Sequence, residues 1–449
     1  MRLEEYLRTV TDQIRCAGAR SMVEEELREH IQDQAEAYEV DGMFEEEALE
    51  RAVREMGDPV ETGVSLDRVH RPHMSWGMLA LVSVLALTGV VFQAALSAGG
   101  LDADGAQYWF SGHIRYTLMG MLVMLAVYRL DYSILAGRAR LAAGAYLVFL
   151  LFGWFVLGRN YGSYVWIDLG VTRLSGMAAL YLFIPLYGAL LYDYRGIGYR
   201  KLWKLFLWAL APVWLAFRLP SIVTVVILAA AFVLLFSIAV WHGWYQVGRK
   251  KTLAVLWAGM AVLPPALFGL RAAMGGIAEY QMARIMAFLG RAPEAAYTQT
   301  MAGNFLSGSA AAGGNPENVL RLWTSLPGFN SDYAFVSLIT TYGVLAGILA
   351  AALMAYLLFR IFRISLRQRN QLGMILGCAS GITIFLQTVM HIMVNLNLLP
   401  FVSVNMPFFS VGGSQMMVSY ILLGIVLSVY RYKDIRPEKR IRKKVQETA

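Results

Sequence analysis

Apolar runs recur along most of this chain, from residue 75 to about residue 430, and short polar or charged segments separate them. Each run is close to the length of about 20 residues that a helix needs to cross the hydrocarbon core of a membrane. The pattern predicts ten spanning helices, at about 75–97, 114–130, 139–158, 174–192, 202–218, 221–241, 252–272, 333–359, 371–394 and 413–430. Only 16% of the residues are charged and 57% are hydrophobic, whereas soluble domains carry about 25% charged residues. The predicted fold class is therefore an all-α, polytopic membrane protein.

The first 72 residues follow a different pattern, because polar residues dominate and apolar ones recur at helical spacing, as at Val23 and Ile31. We expect a small soluble helical bundle here. The segments 26–33 and 56–59 resemble the "permease prefix" domain, which precedes the membrane part of many bacterial membrane proteins. That resemblance implies regulation or partner contact. The predicted domains are the helical bundle, the membrane domain and a basic cytoplasmic tail, at 1–72, 73–432 and 433–449.

The net charge of +8 raises the question of a nucleic-acid partner, but the placement of the basic residues argues against one. Lys and Arg cluster in short segments between the apolar runs, as they do in the cytoplasmic loops of membrane proteins. The clusters fall at 129–140, 195–204, 249–251, 360–369 and 436–444. All of them lie on the side of the N-terminal domain. Both termini are therefore predicted to be cytoplasmic, in a multi-pass protein of the cell membrane that contacts membrane lipids.

The alternate loops carry acidic residues, and the longest of them, over 273–332, ends at Asp332 just before the eighth predicted span. A carboxylate at a membrane boundary loses part of its hydration, so it is retained where it is paired or used. A structural role is open, because an acid at a helix N-terminus stabilises the helix by about 0.3–1 kcal/mol. Ser331 or Asn330 could cap that helix equally well. Asp332 is therefore the first candidate for a functional residue.

Four motifs in fixed order carry a resemblance to one family. They are Trp166-Ile167-Asp168-Leu169-Gly170 in the loop after the third span, Tyr280-Gln281 with Arg284 in the long loop, Ser331-Asp332-Tyr333-Ala334-Phe335 with Gly343, and Pro407-Phe408-Phe409-Ser410-Val411-Gly412-Gly413-Ser414 at the tenth span. With ten spans and a large loop before the eighth, they resemble the SEDS family, of RodA, FtsW and SpoVE type, over roughly 75–432. Each motif alone is weak, and their order and spacing make the combination specific.

The resemblance implies a peptidoglycan glycosyltransferase that uses a polyprenyl-linked precursor of lipid II type at the outer face of the membrane. Asp332 occupies the position of the family's essential aspartate, and a carboxylate can take the proton of an attacking sugar hydroxyl. The substrate-binding candidates are Arg284, Gln281, Arg115, Gln387, His391, Ser410, Gly412, Gly413 and Ser414. No metal site is predicted and the cofactor is unknown, with a divalent cation and arginine side chains both open as partners of the pyrophosphate. The resemblance also implies a class B penicillin-binding protein as partner.

Several of these residues have a simpler explanation. His391 lies in the middle of a span, where an imidazole often serves as a hydrogen-bond donor between helices, and Gly412-Gly413 suits close backbone packing. The chain also lacks charges that the family usually carries, having Tyr181, Thr340 and Thr341 at such positions. This loss leaves a non-catalytic scaffold or regulator of cell-wall synthesis open beside the enzyme. A transporter of lipid-linked precursors is a third hypothesis, disfavoured because clear inverted repeats and paired intramembrane acids are absent from the sequence.

Overall fold

A computed structural model describes residues 1–71, 73–99, 103–156, 158–161, 164–168, 173–218, 221–274, 279–291 and 296–433. Most of the predicted basic tail, from residue 434 onward, lies outside the described residues. The chain divides into two compact units. The first comprises Met1–Ser75 together with the described residues from Tyr430 onward, and the second is Trp76–Val429.

The first unit contains four helices, α1 Leu3–Asp12, α2 Ala17–Val40, α3 Glu45–Glu55 and α4 Pro59–Val69. Their apolar faces enclose a core that includes Tyr6, Val10 and Ile31, all fully buried. Helix α4 begins as its sequence dictates, since the Asp58 side chain accepts a hydrogen bond from the Glu61 N–H at 3.0 Å and proline occupies the first helical position. The regulatory role of this bundle remains a prediction.

The second unit is built almost entirely from helices, and its apolar residues form both its core and its outer surface. The helices are α5 Trp76–Ala98, α6 Ala103–Arg129, α7 Ala139–Phe155, α8 Gly176–Tyr181, α9 Phe183–Asp193, α10 Tyr199–Arg218, α11 Ile222–Trp241, α12 Arg249–Ala273, α13 Glu279–Phe288, α14 Tyr297–Ser307, α15 Pro316–Ser325, α16 Ala334–Tyr342, α17 Val344–Leu366, α18 Gln371–Asn395 and α19 Gly413–Arg431. Every predicted span overlaps at least one of them.

Within the described residues, seven helical segments are long and apolar enough to cross a membrane. They are Trp76–Ala98, Gly105–Arg129, Gly176–Asp193, Ile222–Trp241, Val344–Leu366, Gln371–Asn395 and Gly413–Arg431. The other three predicted spans form helices of 17, 20 and 25 residues, namely α7, α10 and α12. The last two begin with basic residues at the predicted cytoplasmic side. The prediction of an all-α, polytopic membrane protein is confirmed.

One small sheet was not predicted. Strands β1 Gly158–Tyr161, β2 Tyr164–Asp168 and β3 Arg173–Ser175 form an antiparallel sheet in the order β1-β2-β3. The expectation that Trp166 to Asp168 lie in a loop was therefore wrong, because aromatic and β-branched residues here favour a paired strand. Leu169 and Gly170 of the same motif lie outside the described residues.

The eighth predicted span, 333–359, is interrupted, and its predicted boundaries were wrong. Gly343 has φ +93°, which ends α16 and starts α17 in a new direction. The first N–H groups of a helix have no partner within it. Here the carbonyls of Ala310 and Ala311 accept hydrogen bonds from Val344 and Leu345, each at 3.0 Å. The long loop 273–332, which contains α13, α14 and α15, therefore supplies the hydrogen-bond acceptors for the first turn of α17.

Candidate active site at Asp332

Asp332 lies in a tight turn that leads into α16. Gly328 starts the turn with φ +74°, and its carbonyl accepts a hydrogen bond from the Tyr333 N–H at 2.9 Å. The Ser337 hydroxyl donates to the Phe329 carbonyl at 2.7 Å and ties the turn to the helix. Tyr333 is the N-cap residue of α16, and no side chain caps this helix. The Asp332 carboxylate therefore does not serve the capping role that the sequence left open.

The Asp332 carboxylate has one oxygen engaged and one available. Its Oδ1 accepts a hydrogen bond from the Ser403 hydroxyl at 2.8 Å. Its Oδ2 has no hydrogen-bond partner among the residues that the structure describes. Burial raises the pKa of Asp332 to about 6, and the Ser403 hydrogen bond and the positive charge of Arg284 oppose this rise. Such a pKa suits a group that exchanges a proton near neutral pH.

Asn395, at the end of α18, holds the backbone of the Asp332 turn. Its Nδ2 donates to the Asp332 carbonyl and to the His391 carbonyl, each at 2.9 Å. Its Oδ1 accepts from the Val336 N–H at 3.1 Å, which satisfies a donor in the first turn of α16. Asn395 is fully buried. One amide side chain therefore sets the position of Asp332 relative to α18, the most buried of the seven candidate spans.

His391 supports the same site from one turn earlier in α18. Its Nδ1 lies 2.6 Å from the Val404 carbonyl, and Val404 follows the Ser403 that contacts Asp332. His391 therefore holds the segment that contacts the carboxylate, which agrees with the structural role left open for it. Gln387 is fully buried, and neither its amide nitrogen nor its oxygen has a partner within the described residues. No hydrogen bond joins Gln387 to Asp332 in that part of the chain.

The segment before the tenth span packs directly against the Asp332 turn. Ser410 Oγ donates to the Ser331 carbonyl at 2.7 Å and accepts from the Met406 N–H at 2.8 Å. From α5, Gln93 Nε2 donates to the Asn330 carbonyl at 3.1 Å and to the Phe409 carbonyl at 2.6 Å. Ser410 thus contacts the backbone beside Asp332, and its hydroxyl is used for positioning.

The next three predicted site residues contact other parts of the chain. A side chain at Gly412 would overlap the Asn405 amide, and a Cβ at Gly413 would stand 2.5 Å from the Tyr116 ring. Ser414 Oγ accepts from the Ser175 N–H at 3.0 Å and donates to the Arg173 carbonyl at 3.3 Å, which joins α19 to β3. The backbone-shaping interpretation of this segment explains these contacts. A substrate role for the three residues remains a prediction.

Of the remaining substrate-binding candidates, Arg284, Arg115 and Gln281, the structure brings Arg284 to the site. Its guanidinium lies 4.7 Å from the centre of the Phe401 ring, which stacks on Tyr333 at 5.1 Å between ring centres. Its charge acts on the Asp332 carboxyl group. Arg115 is exposed on α6, where its Nε donates to the Ser111 carbonyl at 3.4 Å. Gln281 belongs to α13, but its side chain lies outside the described residues.

Three residues of the site were missed by sequence reasoning. Asn395 had a signal, because it follows Gln387 and His391 at helical spacing, and Gln93 is a polar residue inside an apolar run. Ser403 had none, since a serine in a loop is ordinary. Among the described residues, no group of three or more His, Cys, Asp or Glu side chains could hold a metal ion.

Comparison with known proteins places these features in a family. The family model described as "Cell cycle protein", FtsW/RodA/SpoVE, matches residues 74–435. A "Probable peptidoglycan glycosyltransferase FtsW" of Thioalkalivibrio sulfidiphilus is 27% identical over 373 residues, 78% of this chain and 88% of that protein. The "Stage V sporulation protein E" of Bacillus subtilis is 31% identical over 107 residues, 24% of this chain and 29% of that protein.

Solved structures share the fold of the membrane unit. A chain described under "Structural coordination of polymerization and crosslinking by a peptidoglycan synthase complex" matches with a TM-score of 0.63 at 20% identity, covering 80% of this chain and 98% of that one. The rod shape determining protein RodA of Thermus thermophilus matches with a TM-score of 0.56 at 19% identity, covering 80% and 97%. With the motifs in order around Asp332 and a family match across the whole membrane unit, the chain belongs to the FtsW/RodA/SpoVE family.

Proposed function

We propose that this protein is a glycosyltransferase that polymerises a polyprenyl-linked peptidoglycan precursor, with Asp332 as the general base. The observation that carries the proposal is the state of the Asp332 carboxylate. Its backbone is held by Asn395 and one oxygen by Ser403, while Oδ2 lacks a hydrogen-bond partner in the described part of the chain. Relatives named as probable peptidoglycan glycosyltransferases supply the reaction class.

The proposed reaction transfers one glycosyl group and one proton. A sugar hydroxyl gives its proton to Asp332 Oδ2 while its oxygen forms a bond to the anomeric carbon of the donor. The bond between that carbon and the phosphate oxygen breaks, and the polyprenyl diphosphate leaves with the electron pair. Arg284 stabilises the charge that develops on the leaving group, because a guanidinium matches phosphate oxygens. Its stacking against Phe401 holds it beside the carboxylate.

The protein belongs to the cell membrane, and we propose that both termini face the cytoplasm and Asp332 faces outward. The support is the distribution of charge, since the basic loops alternate with loops that carry Asp168 and, in the long loop 273–332, Glu317 and Asp332. A penicillin-binding protein of class B is the proposed partner, because a structural relative comes from a peptidoglycan synthase complex.

One observation favours a second candidate function, a non-catalytic scaffold of cell-wall synthesis. Thr340 and Thr341, where the family usually carries acids, donate their hydroxyls to carbonyls of their own helix at 2.9 and 2.7 Å. Ser221 similarly caps α11 through the Thr224 N–H at 3.4 Å. These side chains serve local structure and offer no proton-accepting group to a substrate.

A polymerisation assay in proteoliposomes distinguishes the two functions. With lipid-linked precursor and a coexpressed penicillin-binding protein, Asp332→Asn should lower the rate by about 10²–10⁴-fold, the contribution of a general base. Glu317→Gln is the matched control, because Glu317 is an exposed acid of the same long loop. In the same vesicles, an impermeant thiol reagent should label a cysteine placed at exposed Gly308 from the side where glycan accumulates.

Two results would count against this assignment. Equal polymerisation by wild type and Asp332→Asn would remove Asp332 from the reaction. An inactive wild type, with and without the penicillin-binding protein, would support the scaffold.

A further inference from the structure

An apolar crevice opens on the side of the membrane unit, between four helices of which only α18 also contacts the Asp332 turn, through Asn395. Helices α11, α12, α17 and α18 enclose about 520 Å³, within the range of about 300–1,000 Å³ that is usual for ligand sites. Its lining includes Trp241, Trp257, Phe362 and Phe385, and the polar exceptions are Ser237 and His242. The Ser237 hydroxyl donates a hydrogen bond to the Val233 carbonyl at 2.7 Å and is not available to a ligand as a donor.

The crevice faces outward from the helix bundle. The Trp241 side chain is 70% exposed, and Trp257 and Phe385 are 47% and 39% exposed. In a membrane these surfaces meet lipid, and tryptophan favours the level of the headgroups. The Trp241 end lies at the C-terminus of α11, beside the loop 242–248 that leads into the basic first turn of α12. An occupant therefore has its apolar part in the crevice and its polar part at this loop.

Two basic residues stand at this end of the crevice. Arg249 and Lys250 begin α12, and helical geometry puts both within about 100° of Leu253 and Trp257, which line the crevice. Arg249 folds back over the turn after α11, since a Cβ at Gly243 would stand 3.1 Å from its Cζ. Gly243 directly follows the crevice residue His242. Neither basic residue has an ion-pair partner among the described residues.

The next residue, Lys251, supplies an internal comparison. It lies on another face of α12, where its charge acts on the Tyr199 hydroxyl at the start of α10. Tyr199 also accepts a hydrogen bond from the Gly248 N–H at 2.9 Å. Three adjacent cations therefore differ in direction: two share the crevice face and the third does not.

We infer that this crevice is a binding site for an acidic glycerophospholipid, with one acyl chain between the four helices and the phosphate at Arg249 and Lys250. An apolar crevice open to the bilayer accommodates a chain of any phospholipid. The pair of cations adds the preference for a net negative headgroup, because no carboxylate of the 242–251 segment competes for them. The inference is independent of the proposed glycosyltransferase activity.

The test measures lipid retained on the full-length protein by native mass spectrometry. Protein in detergent is offered equal amounts of phosphatidylglycerol and phosphatidylcholine with identical acyl chains, and glycerophosphoglycerol without acyl chains in a separate arm. Wild type should retain one phosphatidylglycerol with an excess of about thirtyfold, the factor expected from two basic residues near an anionic headgroup. The chain-free compound should not be retained.

Three variants make the result specific. Arg249→Gln/Lys250→Gln should reduce the excess to about one, while Lys251→Gln should leave it near the wild-type value. Ser237→Phe should lose both lipids by filling the crevice, and size-exclusion chromatography identifies a misfolded sample. Equal retention of both lipids by wild type would overturn the proposal. The proposal would also be overturned if Lys251→Gln lost the phosphatidylglycerol excess as completely as Arg249→Gln/Lys250→Gln does, or if the chain-free compound were retained.

Discussion

The Asp332 turn and helix α12 are held in position by two different kinds of contact. Around Asp332, buried side chains such as Asn395, Gln93 and Ser410 hold backbone carbonyls at 2.6–3.1 Å. Along α12 most residues are exposed, and the helix packs mainly on α11. One region is fixed by directional hydrogen bonds, and the other rests against its neighbour and lipid.

The difference follows from what each region has to do. A general base must keep its position relative to the reacting atoms, because small displacements lower the rate strongly. Hydrogen bonds from buried donors specify that position, and in a low dielectric they cannot be exchanged for water. A helix that faces lipid has no such requirement, since nonpolar packing tolerates small shifts. Substitutions should therefore have large effects near Asp332 and small ones on α12.

A large effect on stability is expected first from a single methyl group at Gly89. A Cβ there would overlap the Phe408 carbonyl oxygen and stand 3.1 Å from its carbonyl carbon, where backbone cannot yield cheaply. Phe408 already has φ +70°. Gly89→Ala should lower the free energy of unfolding by about 1–3 kcal/mol, as overpacking does, and displace the segment next to Asp332.

Gly269, in exposed α12, is the matched control because nothing lies within 4 Å of its Cβ position. Gly269→Ala should raise the free energy of unfolding by about 0.5–1 kcal/mol, since glycine in a helix is less favourable than alanine. Thermal unfolding in detergent measures both. A Gly89→Ala protein as stable and active as wild type would show that the segment tolerates displacement.

A similar loss of stability, together with a loss of rate, is expected from Asn395→Ala. The substitution removes the donor to the Asp332 carbonyl and leaves the Val336 N–H buried without its acceptor. The free energy of unfolding should fall by about 1–3 kcal/mol. The polymerisation rate should fall by up to about 10²-fold, because the base is misplaced.

Gln387→Met on the same helix is the comparison, because the Gln387 amide has no partner among the described residues. Its stability should be unchanged or higher. Polymerisation that survives Asn395→Ala would mean that Asp332 is positioned by other contacts. Polymerisation lost in Gln387→Met, with stability intact, would support the predicted substrate role of Gln387.

The smallest effect is expected from Ser403→Ala, and it appears in the pH profile. The Ser403 hydrogen bond lowers the pKa of Asp332, while burial raises it to about 6. The base must be deprotonated, so activity falls as the pH drops through this pKa. Without the hydroxyl the pKa rises, and the acid limb should move to higher pH by about one unit. An unshifted limb would indicate that another group controls this limb.

Local pattern was sufficient to predict much of this protein. Apolar runs predict helices at all ten positions, of which seven described helical segments are long and apolar enough to cross a membrane, and the motif around Asp332 is visible in the sequence alone. The break at Gly343 was missed, although the glycine was part of the motif. A single glycine does not reveal that the carbonyls of Ala310 and Ala311 will complete the next helix. The strand at Trp166 was also missed, because its residues favour a strand but its partners β1 and β3 are specified only by the fold.

By itself, the sequence determined the membrane class, the helical spans and the location of the candidate base, because composition and periodicity are local properties. Only the tertiary structure decided what surrounds that base. Asn395 and Ser403 lie 63 and 71 residues from Asp332 in the chain, and packing brings them into hydrogen-bond contact. The same holds for Gly89 and Phe408, which touch through backbone. Such contacts depend on the relative placement of helices, which no local pattern encodes.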